Sequence, residues 1–439
     1  MSRRTILGTG AALGAGLPLA GLSATSAQAE TQSGRQSKQS LNAAVSFLQK
    51  ATDAHYRTGP RFVQSFQDES GLGDIGFIYD NALTSMALLS AGDVTRARAI
   101  GDSLIYAHTH DETFTDFRLR QAYHAKAFTN PDGTAHFGWE FGLVGTAVGD
   151  MAWSGIALAQ LAKKTQVSSY LTATVRIGQW IYDNTFSTTG LQGYTFGETA
   201  NLEGHKSTEH NIDVYAYFRL LEGLTGDPVW GARARHAWDF VEKMWNSDLN
   251  FFWTGSDDGA TINKAAKQLP EDTQTWSWLA ARDRQYAASI DWAAANMATT
   301  DTPLRANSAL TGSYSVSGVV FASGTMLTDT DTRIANQDFN PKPDDAGVWF
   351  EGTSHLALAF RDRGQRGDEA AAAALFEQIR SAQDNLGQGQ TFGQKPALGG
   401  LVAASSPIDT GFGFGYFPNL HIGATSWYVF ALNRFNPYR

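Results

Sequence analysis

Glu351 is the residue whose sequence neighbours point most clearly to chemistry. It follows Trp349 and a phenylalanine and precedes a glycine, and such an apolar setting disfavours ionisation of a carboxyl group. A carboxyl group that keeps its proton near neutral pH can serve as a general acid. A second carboxylate across the same cleft would act as base or nucleophile, and the candidates for that role are Asp80, Asp150 and, in reserve, Glu209.

The densest polar stretch of the chain covers residues 207–213. Glu209 and Asp213 are four residues apart, so both carboxylates share one face of a helix, with His210 and Asn211 beside them. Carboxylate and imidazole groups together could hold a metal ion. Since neither an HExxH motif nor a second histidine at ligand spacing is present, we expect a polar catalytic wall here and no metal.

Candidates for substrate contact are polar or aromatic residues at the starts of apolar helical runs, where capping is the alternative explanation for each acid. They are Tyr79, Asn81, Glu140, Trp153, His210, Asn211, Asp213, Asp272, Gln274, Trp276, Trp349, His421 and Trp427. Either Glu140 or Asp150 could supply the acid of the second cluster. The chain holds 12 Trp, 14 Tyr and 26 Phe, and aromatic faces beside hydrogen-bonding acids and amides are suited to sugars.

These clusters recur along the chain, and each is followed by small, aromatic and aliphatic residues at helical spacing. The markers of the six clusters are Asp80, Asp150, His210, Asp272, Glu351 and His421, roughly 60 to 80 residues apart. Between them lie second helical patterns with more charge, at 94–108, 170–182, 230–245 and 367–382. The charged helices are expected to form an outer layer around inner helices that are apolar nearly all round.

Six such helical hairpins closed into a ring resemble the (α/α)6 toroid of the six-hairpin glycosidase superfamily. The resemblance covers residues 41–439 and predicts an all-α domain with an inner and an outer ring of helices. It implies glycoside hydrolysis, with inversion more often than retention, and it puts the polar clusters at one mouth of the barrel. A helical solenoid is the alternative architecture, although solenoid repeats are usually shorter.

Three functions are open at this point. We expect a glycoside hydrolase that acts on an oligo- or polysaccharide, with paired carboxylates. A polysaccharide lyase or sugar epimerase on the same toroid would use His210, Tyr215 or His421 as base, and a uronate substrate would need cationic side chains to bind it. The arginines close to the clusters are Arg57, Arg61, Arg118 and Arg120. A glycan-binding protein without catalysis is the third possibility.

Residues 1–29 have the features of an export signal. Arg3 and Arg4 precede an apolar stretch rich in glycine and alanine, which ends in the small-residue sequence at 27–29. The paired arginines resemble the twin-arginine signal, with a general secretory signal as the alternative. We expect cleavage near Glu30, a flexible lead-in over 30–40, one domain over 41–439, and a protein that is not inserted in a membrane after cleavage.

The amino-acid composition limits the kinds of partner and cofactor that we expect. The net charge of −9 and the lack of a run of lysines and arginines disfavour nucleic acid. The chain has no cysteine, which excludes thiolate nucleophiles, zinc-thiolate sites and iron-sulfur clusters. No cofactor is expected, because the glycine run at 411–415 lacks the strand context of a nucleotide-binding loop and is interpreted as a flexible loop at the mouth. The sequence does not indicate an oligomeric state.

Overall fold

The alternating apolar and amphipathic segments fold into antiparallel helical hairpins in the computed structural model. It describes residues 20–68, 71–138, 142–199, 202–264, 268–323, 343–412 and 414–439, with side chains from residue 34 onward. Ser40–Arg439 form one compact unit, and the preceding residues up to Gln39 are assigned to a second unit. Residues 30–40, which we predicted to be a flexible lead-in, are helical and belong to the first helix.

Twelve α-helices are present in the described ranges. In chain order they are α1 (Ala20–Thr52), α2 (Ile78–Ser90), α3 (Val94–Thr109), α4 (Val148–Thr165), α5 (Ser168–Thr185), α6 (Thr208–Thr225), α7 (Pro228–Lys243), α8 (Glu271–Ala281), α9 (Ala288–Asn296), α10 (Phe350–Arg363), α11 (Asp368–Asn385) and α12 (Ile422–Asn433). A short 3-10 helix, Arg284–Tyr286, lies between α8 and α9. The four predicted outer patterns correspond to α3, α5, α7 and α11. The start of α7 is set by Pro228 in the first turn and by the Asp227 side chain, which caps it.

The even-numbered helices form the inner ring. Each packs on the next, in the order α2, α4, α6, α8, α10 and α12, and α12 packs back on α2 and closes the ring. Between α2 and α11, each inner helix also packs on the odd-numbered helix that follows it. Buried apolar residues of both layers form one continuous core, which explains why the inner helices are apolar on nearly every face. The predicted all-α (α/α)6 toroid is confirmed.

Short strands connect the helices at the end of the ring where the inner helices begin. They form two-stranded antiparallel sheets. The strands are β1 (Ile75–Phe77), β2 (Ala122–His124), β3 (Thr146–Ala147), β4 (Gly197–Glu198), β5 (Lys206–Ser207), β6 (Trp245–Asn246), β7 (Phe251–Phe252), β8 (Gly255–Ser256), β9 (Leu269–Pro270), β10 (Ala298–Asp301), β11 (Val316–Val319), β12 (Ala322–Ser323), β13 (Thr391–Phe392), β14 (Lys395–Pro396), β15 (Leu401–Val402), β16 (Ile408–Asp409), β17 (Gly415–Tyr416) and β18 (Leu420–His421). Several of them, including β1, β3, β5, β9 and β18, lead directly into an inner helix.

The fourth residue of every inner helix holds a backbone segment that lies upstream in the chain. These six residues are Asn81, Met151, Asn211, Gln274, Thr353 and Thr425, and each accepts a hydrogen bond from a backbone N–H, of Val63, Leu119, Tyr194, Phe252, Val319 and Leu401 respectively. The three amides also donate to the carbonyl of the same upstream residue, at 2.9, 3.0 and 3.1 Å. We call these contacts the backbone clamps.

The carboxyl-terminal segment packs beneath the inner helices. The Tyr438 ring lies 4.9 Å from that of Trp153 between centroids, and its hydroxyl donates to Asp213 at 2.8 Å. The side chain of Gln160 donates to the backbone carbonyls of Pro437 and Arg439. These contacts fill the lower part of the ring. None of the helices in the described ranges has the length and apolar character needed to cross a membrane.

Removal of one clamp should destabilise the whole ring. Asn211→Ala leaves the buried N–H and C=O of Tyr194 without partners, so the free energy of unfolding should fall by about 2 kcal/mol or more. Urea unfolding followed by circular dichroism measures this fall. The control is Asn296→Ala on α9, where an exposed amide donates to a carbonyl of its own helix. Equal stability of the two variants would contradict a structural role for the clamp.

Candidate active site

A cavity of about 820 Å³ opens where the inner helices begin. Five inner helices each contribute one carboxyl group to its lining, within two residues of the helix start, and the capping residue of α12 contributes an imidazole. In ring order these groups are Asp80 (α2), Asp150 (α4), Glu209 (α6), Asp272 (α8), Glu351 (α10) and His421, which caps α12. The predicted convergence of the six clusters on one mouth of the barrel is therefore present in the structure.

Glu351 is almost fully buried, with 2 % of its surface exposed, yet it lines the cavity. Tyr79 donates its hydroxyl hydrogen to Glu351 Oε1 at 2.6 Å, and Trp427 Nε1 donates to the Tyr79 hydroxyl at 3.0 Å. Burial raises the pKa of Glu351 to about 7, since it and the nearby Asp80 charge outweigh the opposing effects of His421 and Tyr79. A carboxyl group with this pKa holds its proton for a large part of the time at neutral pH.

His421 connects Asp80 with Glu351. Its Nδ1 accepts a hydrogen bond from the backbone N–H of Ala424 at 3.2 Å, which caps α12 and leaves the ring proton on Nε2. Nε2 lies 3.1 Å from Asp80 Oδ2, so the ring presents this N–H to the Asp80 carboxylate. His421 Nδ1 lies 3.9 Å from Glu351 Oε2. One carboxylate oxygen of each acid and one ring nitrogen lie within 4.8 Å of one another.

Asp80, Glu351 and His421 are the residue types of a possible cation site. The two nitrogens of the His421 ring, however, do not fit one. Nδ1 of His421 already accepts from Ala424, and Nε2 carries the proton that faces Asp80. A metal ligand needs a free lone pair on the imidazole nitrogen. The arrangement therefore suits proton transfer and charge stabilisation better than metal coordination.

The other three acids of the ring repel one another. Burial raises the pKa of Asp150 to about 7, with a further contribution from the Asp80 charge. Burial also raises the pKa of Asp272 to about 7. The pKa of Glu209 lies well above its usual value because of burial and because Asp272 and Asp213 are close.

A second layer of charged groups lies behind Glu351, away from the cavity. His355 and Glu271 are fully buried, and His355 Nδ1 lies 3.0 Å from Glu271 Oε2. His355 Nε2 is 3.8 Å from Glu351 Oε1. Burial holds the pKa of the His355 ring well below its usual value, so the ring is neutral. This layer packs behind Glu351 and gives it no cationic partner.

Aromatic side chains form the walls of the cavity. Trp153 and Trp276 lie 5.2 Å apart between ring centroids and nearly perpendicular to each other. On the opposite side Trp349 stacks on Tyr416 at 5.9 Å. Phe412 and Phe414, from the glycine run, also line the cavity, which agrees with the predicted place of that run at the mouth. Flat apolar faces next to carboxyl groups provide the two kinds of contact that sugar rings need.

Comparisons with known proteins give structural matches only. No family model and no curated protein matches the sequence. The solved structures similar to this chain include a D-mannose isomerase, with a TM-score of 0.59 at 10% identity over 91% of this chain and 96% of that one. A GH76 alpha-mannanase of Bacteroides thetaiotaomicron matches with 0.55 at 13% identity over 92% and 96%. An inactive variant of an alpha-1,6-mannanase of Salegentibacter sp. HEL1_6, in complex with alpha-1,6-mannotriose, matches with 0.51 at 11% identity over 91% and 100%.

The chain shares the fold of these solved structures. The toroid brings most of the predicted site residues to its cavity, which is lined by Tyr79, Asp80, Asp150, Trp153, Glu209, His210, Asp272, Trp276, Trp349, Glu351 and His421. Glu140 lies outside the described residues.

Five residues predicted to contact substrate have other positions in the toroid. Asn81, Asn211 and Gln274 are not in the lining, because their amides hold the backbone clamps. Asp213 is fully buried and accepts from Tyr438 below the cavity. Trp427 is also fully buried, and it orients the Tyr79 hydroxyl instead of facing a ligand.

The structure adds residues that the sequence did not single out. Tyr416 and Phe66 also line the cavity. They belong to strands and loops outside the inner helices, so the helical pattern of the sequence did not point to them. His355 and Glu271 belong to helices that we identified, but their pairing across α8 and α10 needs the ring geometry. The aromatic residue Tyr416 directly follows the glycine run, and this position was the signal that could have predicted it.

The toroid offers little to an anionic substrate. Arg61 pairs with Asp53, Arg118 with Asp116 and Glu198, and Arg120 with Asp111. Neither these three arginines nor Arg57 lines the cavity. Tyr215, one of the bases considered for a lyase, packs on Trp238 of the outer ring instead. Lys206 does line the cavity, but its ammonium group donates to the backbone carbonyls of Thr189 and Gly259, so the described part of the cavity offers a uronate no unpaired arginine or lysine.

The raised carboxyl pKa values predict how stability depends on pH. Between about pH 4.5 and 7 the folded protein keeps protons on Glu351, Asp150 and Asp272 that the unfolded chain releases, so stability should fall as pH rises through this window. The melting temperature should drop by a few degrees from pH 5 to pH 7.5. Glu351→Gln should reduce this slope, whereas Glu377→Gln on α11, an exposed carboxylate beside Arg380, should leave it unchanged. A slope of opposite sign would contradict the assignment.

Proposed function

We propose that the protein is a carbohydrate-active enzyme and, more specifically, a glycoside hydrolase that acts on an oligo- or polysaccharide. The observation that carries the proposal is the pairing of two carboxyl groups with different hydrogen-bonding surroundings in one aromatic cavity. Glu351 is buried and has a pKa near 7, whereas Asp80, close by, faces the N–H of His421. Two carboxyl groups with opposite roles are the apparatus of glycoside hydrolysis.

Glu351 would supply the proton to the glycosidic oxygen. Its Oε1 is held by Tyr79, which leaves Oε2, without a hydrogen-bond partner in the structure, as the oxygen to carry the proton. Tyr79 is in turn fixed by Trp427. Once the proton has moved to the leaving group, the Tyr79 hydroxyl stabilises the carboxylate that remains.

Asp80 is the proposed partner carboxylate. The His421 N–H lies against one of its oxygens, with Nε2 3.1 Å from Asp80 Oδ2. An oxygen of Asp80 lies within 4.8 Å of one of Glu351, closer than the roughly 6.5 to 9.5 Å typical of inverting enzymes. This spacing favours direct attack by Asp80 on the sugar, and therefore retention, over the inversion that the resemblance implied.

We also propose that the protein works outside the cytoplasm. The proposal rests on the paired Arg3 and Arg4 before an apolar stretch. Replacement of both arginines with lysine should stop secretion through the twin-arginine route, as followed by immunoblotting of the medium. Unchanged secretion would contradict that route.

Glu351→Gln should remove hydrolysis. Its amide cannot deliver a proton, so sugar release should fall at least about 100-fold while binding of the glycan persists. A panel of polysaccharides is tested with reducing-end detection and with absorbance near 235 nm, where a lyase product would appear. NMR of the first reducing ends released distinguishes retention from inversion. Glu377→Gln is the matched control and should hydrolyse normally.

Three results would count against the proposal. Glu351→Gln with normal turnover would remove the assigned acid. A rise near 235 nm would indicate elimination instead of hydrolysis. A wild type that binds glycans of the panel and cleaves none would favour a binding protein.

A further inference from the structure

Charge is distributed very unevenly around the cavity. Its lining includes six carboxyl groups, of Asp80, Asp150, Glu209, Asp257, Asp272 and Glu351. A neutral glycan needs two carboxyl groups for hydrolysis and some hydrogen-bonding groups besides. Of the four additional acids Asp272 is buried, Asp150 and Glu209 are half-buried and Asp257 is exposed, so the first three are costly because like charges repel where hydration is reduced.

The cationic groups of the lining do not neutralise these acids. The Lys206 ammonium group donates to the carbonyls of Thr189 and Gly259, at 2.8 and 3.1 Å, and is turned to them. Burial lowers the pKa of His210 to about 4, so this ring is uncharged at neutral pH. No arginine lines the cavity in the described part of the chain.

Asp150, Glu209 and Asp272 are on three consecutive inner helices, α4, α6 and α8. The residues that the structure describes give none of these three a salt bridge to lysine, arginine or histidine. Asp80 and Glu351, by contrast, are close to His421 on the other side of the ring. The cavity is therefore divided into a reacting side and an acidic side without counter-charge, and we call the latter three residues the acidic arc.

Polar atoms of the lining also lack partners. The Nε1 of Trp276 and of Trp349, the Nδ1 of His210 and the Oε2 of Glu351 are buried without a hydrogen bond. All four side chains are more than nine-tenths buried and line the cavity. Buried donors and acceptors of this kind are normally satisfied, so they indicate a polar ligand with both donor and acceptor groups.

We infer that the substrate is a glycan with free amino groups, whose ammonium group is bound by the acidic arc of Asp150, Glu209 and Asp272. The inference rests on the proposed function and names its substrate class. An ammonium group supplies up to three donors and the positive charge that the arc lacks. Trp153 and Trp276, which belong to α4 and α8, add aromatic faces that favour both a sugar ring and a cation.

An amino sugar fits the surroundings better than a metal ion. The cavity of about 820 Å³ has room for sugar residues, and its walls are aromatic, whereas a metal site is compact and surrounded by oxygen ligands. Binding of an ammonium group should also expel protons from the arc, since its carboxyl groups have raised pKa values.

The test is calorimetric binding to the Glu351→Gln protein, whose turnover is blocked, with wild type in parallel. The probes are tetramers of β-1,4-glucosamine and of α-1,4-galactosamine, their N-acetylated forms, which have no charge, and mannotetraose. At least one amino tetramer should bind at least about tenfold more tightly than its N-acetylated form. Glu209→Gln or Asp272→Asn, added to this protein, should weaken that binding at least fivefold and weaken binding of the neutral tetramers by a clearly smaller factor.

The outcomes separate this inference from the proposed function. Equal binding of amino and N-acetylated tetramers, or binding unaffected by both arc substitutions, would overturn the inference. Tight binding of calcium alone that abolishes binding of the amino tetramers would overturn it in favour of a cation site. Cleavage of neutral glycans only, lost in Glu351→Gln, overturns the inference and leaves the hydrolase. Amino tetramers that bind to wild type but are never cleaved support the inference and overturn the hydrolase.

Discussion

The backbone clamp at the fourth residue of each inner helix is the contact on which the rest of the structure depends. It fixes where the helix starts relative to the strand or loop beside it. In α2, α4, α6, α8 and α10, residue two or three of the helix, one or two positions before the clamp residue, then lines the mouth of the ring. Asp80 is third and Asn81 fourth in α2, and Glu351 is second and Thr353 fourth in α10. A single structural rule thus positions acids from five different helices around one cavity.

The same geometry creates the electrostatic properties of the site. Acids from neighbouring helices come close together in a space with aromatic walls, where water cannot screen them well. Their pKa values rise, and Glu351 becomes a proton donor near neutral pH. On one side of the ring the N–H of His421 faces Asp80. On the other side the acidic arc has no cationic partner among the described residues. Catalysis and substrate preference therefore follow from one distribution of charge.

Much of this fold could be predicted from the sequence, because polar clusters at a regular spacing mark the starts of the inner helices. Glu351 and Asp80, to which we assign the reaction in our proposal, were also singled out from the sequence, since an acid beside aromatic residues is a local signal. Three of the six clamp residues, Asn81, Asn211 and Gln274, were predicted to contact substrate, whereas the structure places their amides on backbone groups outside the cavity lining. An amide can donate to a carbonyl and accept from an N–H at once, which a carboxylate cannot do. The amide side chains of Asn81, Asn211 and Gln274 were therefore a signal that these residues hold backbone instead of contacting substrate. Asp213 and Trp427 do not line the cavity because the ring buries them. No local sequence pattern predicts burial of that kind.

Catalysis in this site requires that Glu351 hold a proton near neutral pH, and NMR titration of its carboxyl carbon tests this directly. Protein with ¹³C-labelled glutamate side chains is titrated from pH 4 to 9, and the Glu351 signal is assigned by its loss in Glu351→Gln. We predict a midpoint near 7 for this signal. A midpoint near 4.5, the ordinary value for glutamate, would contradict the proposed role of Glu351 as the acid.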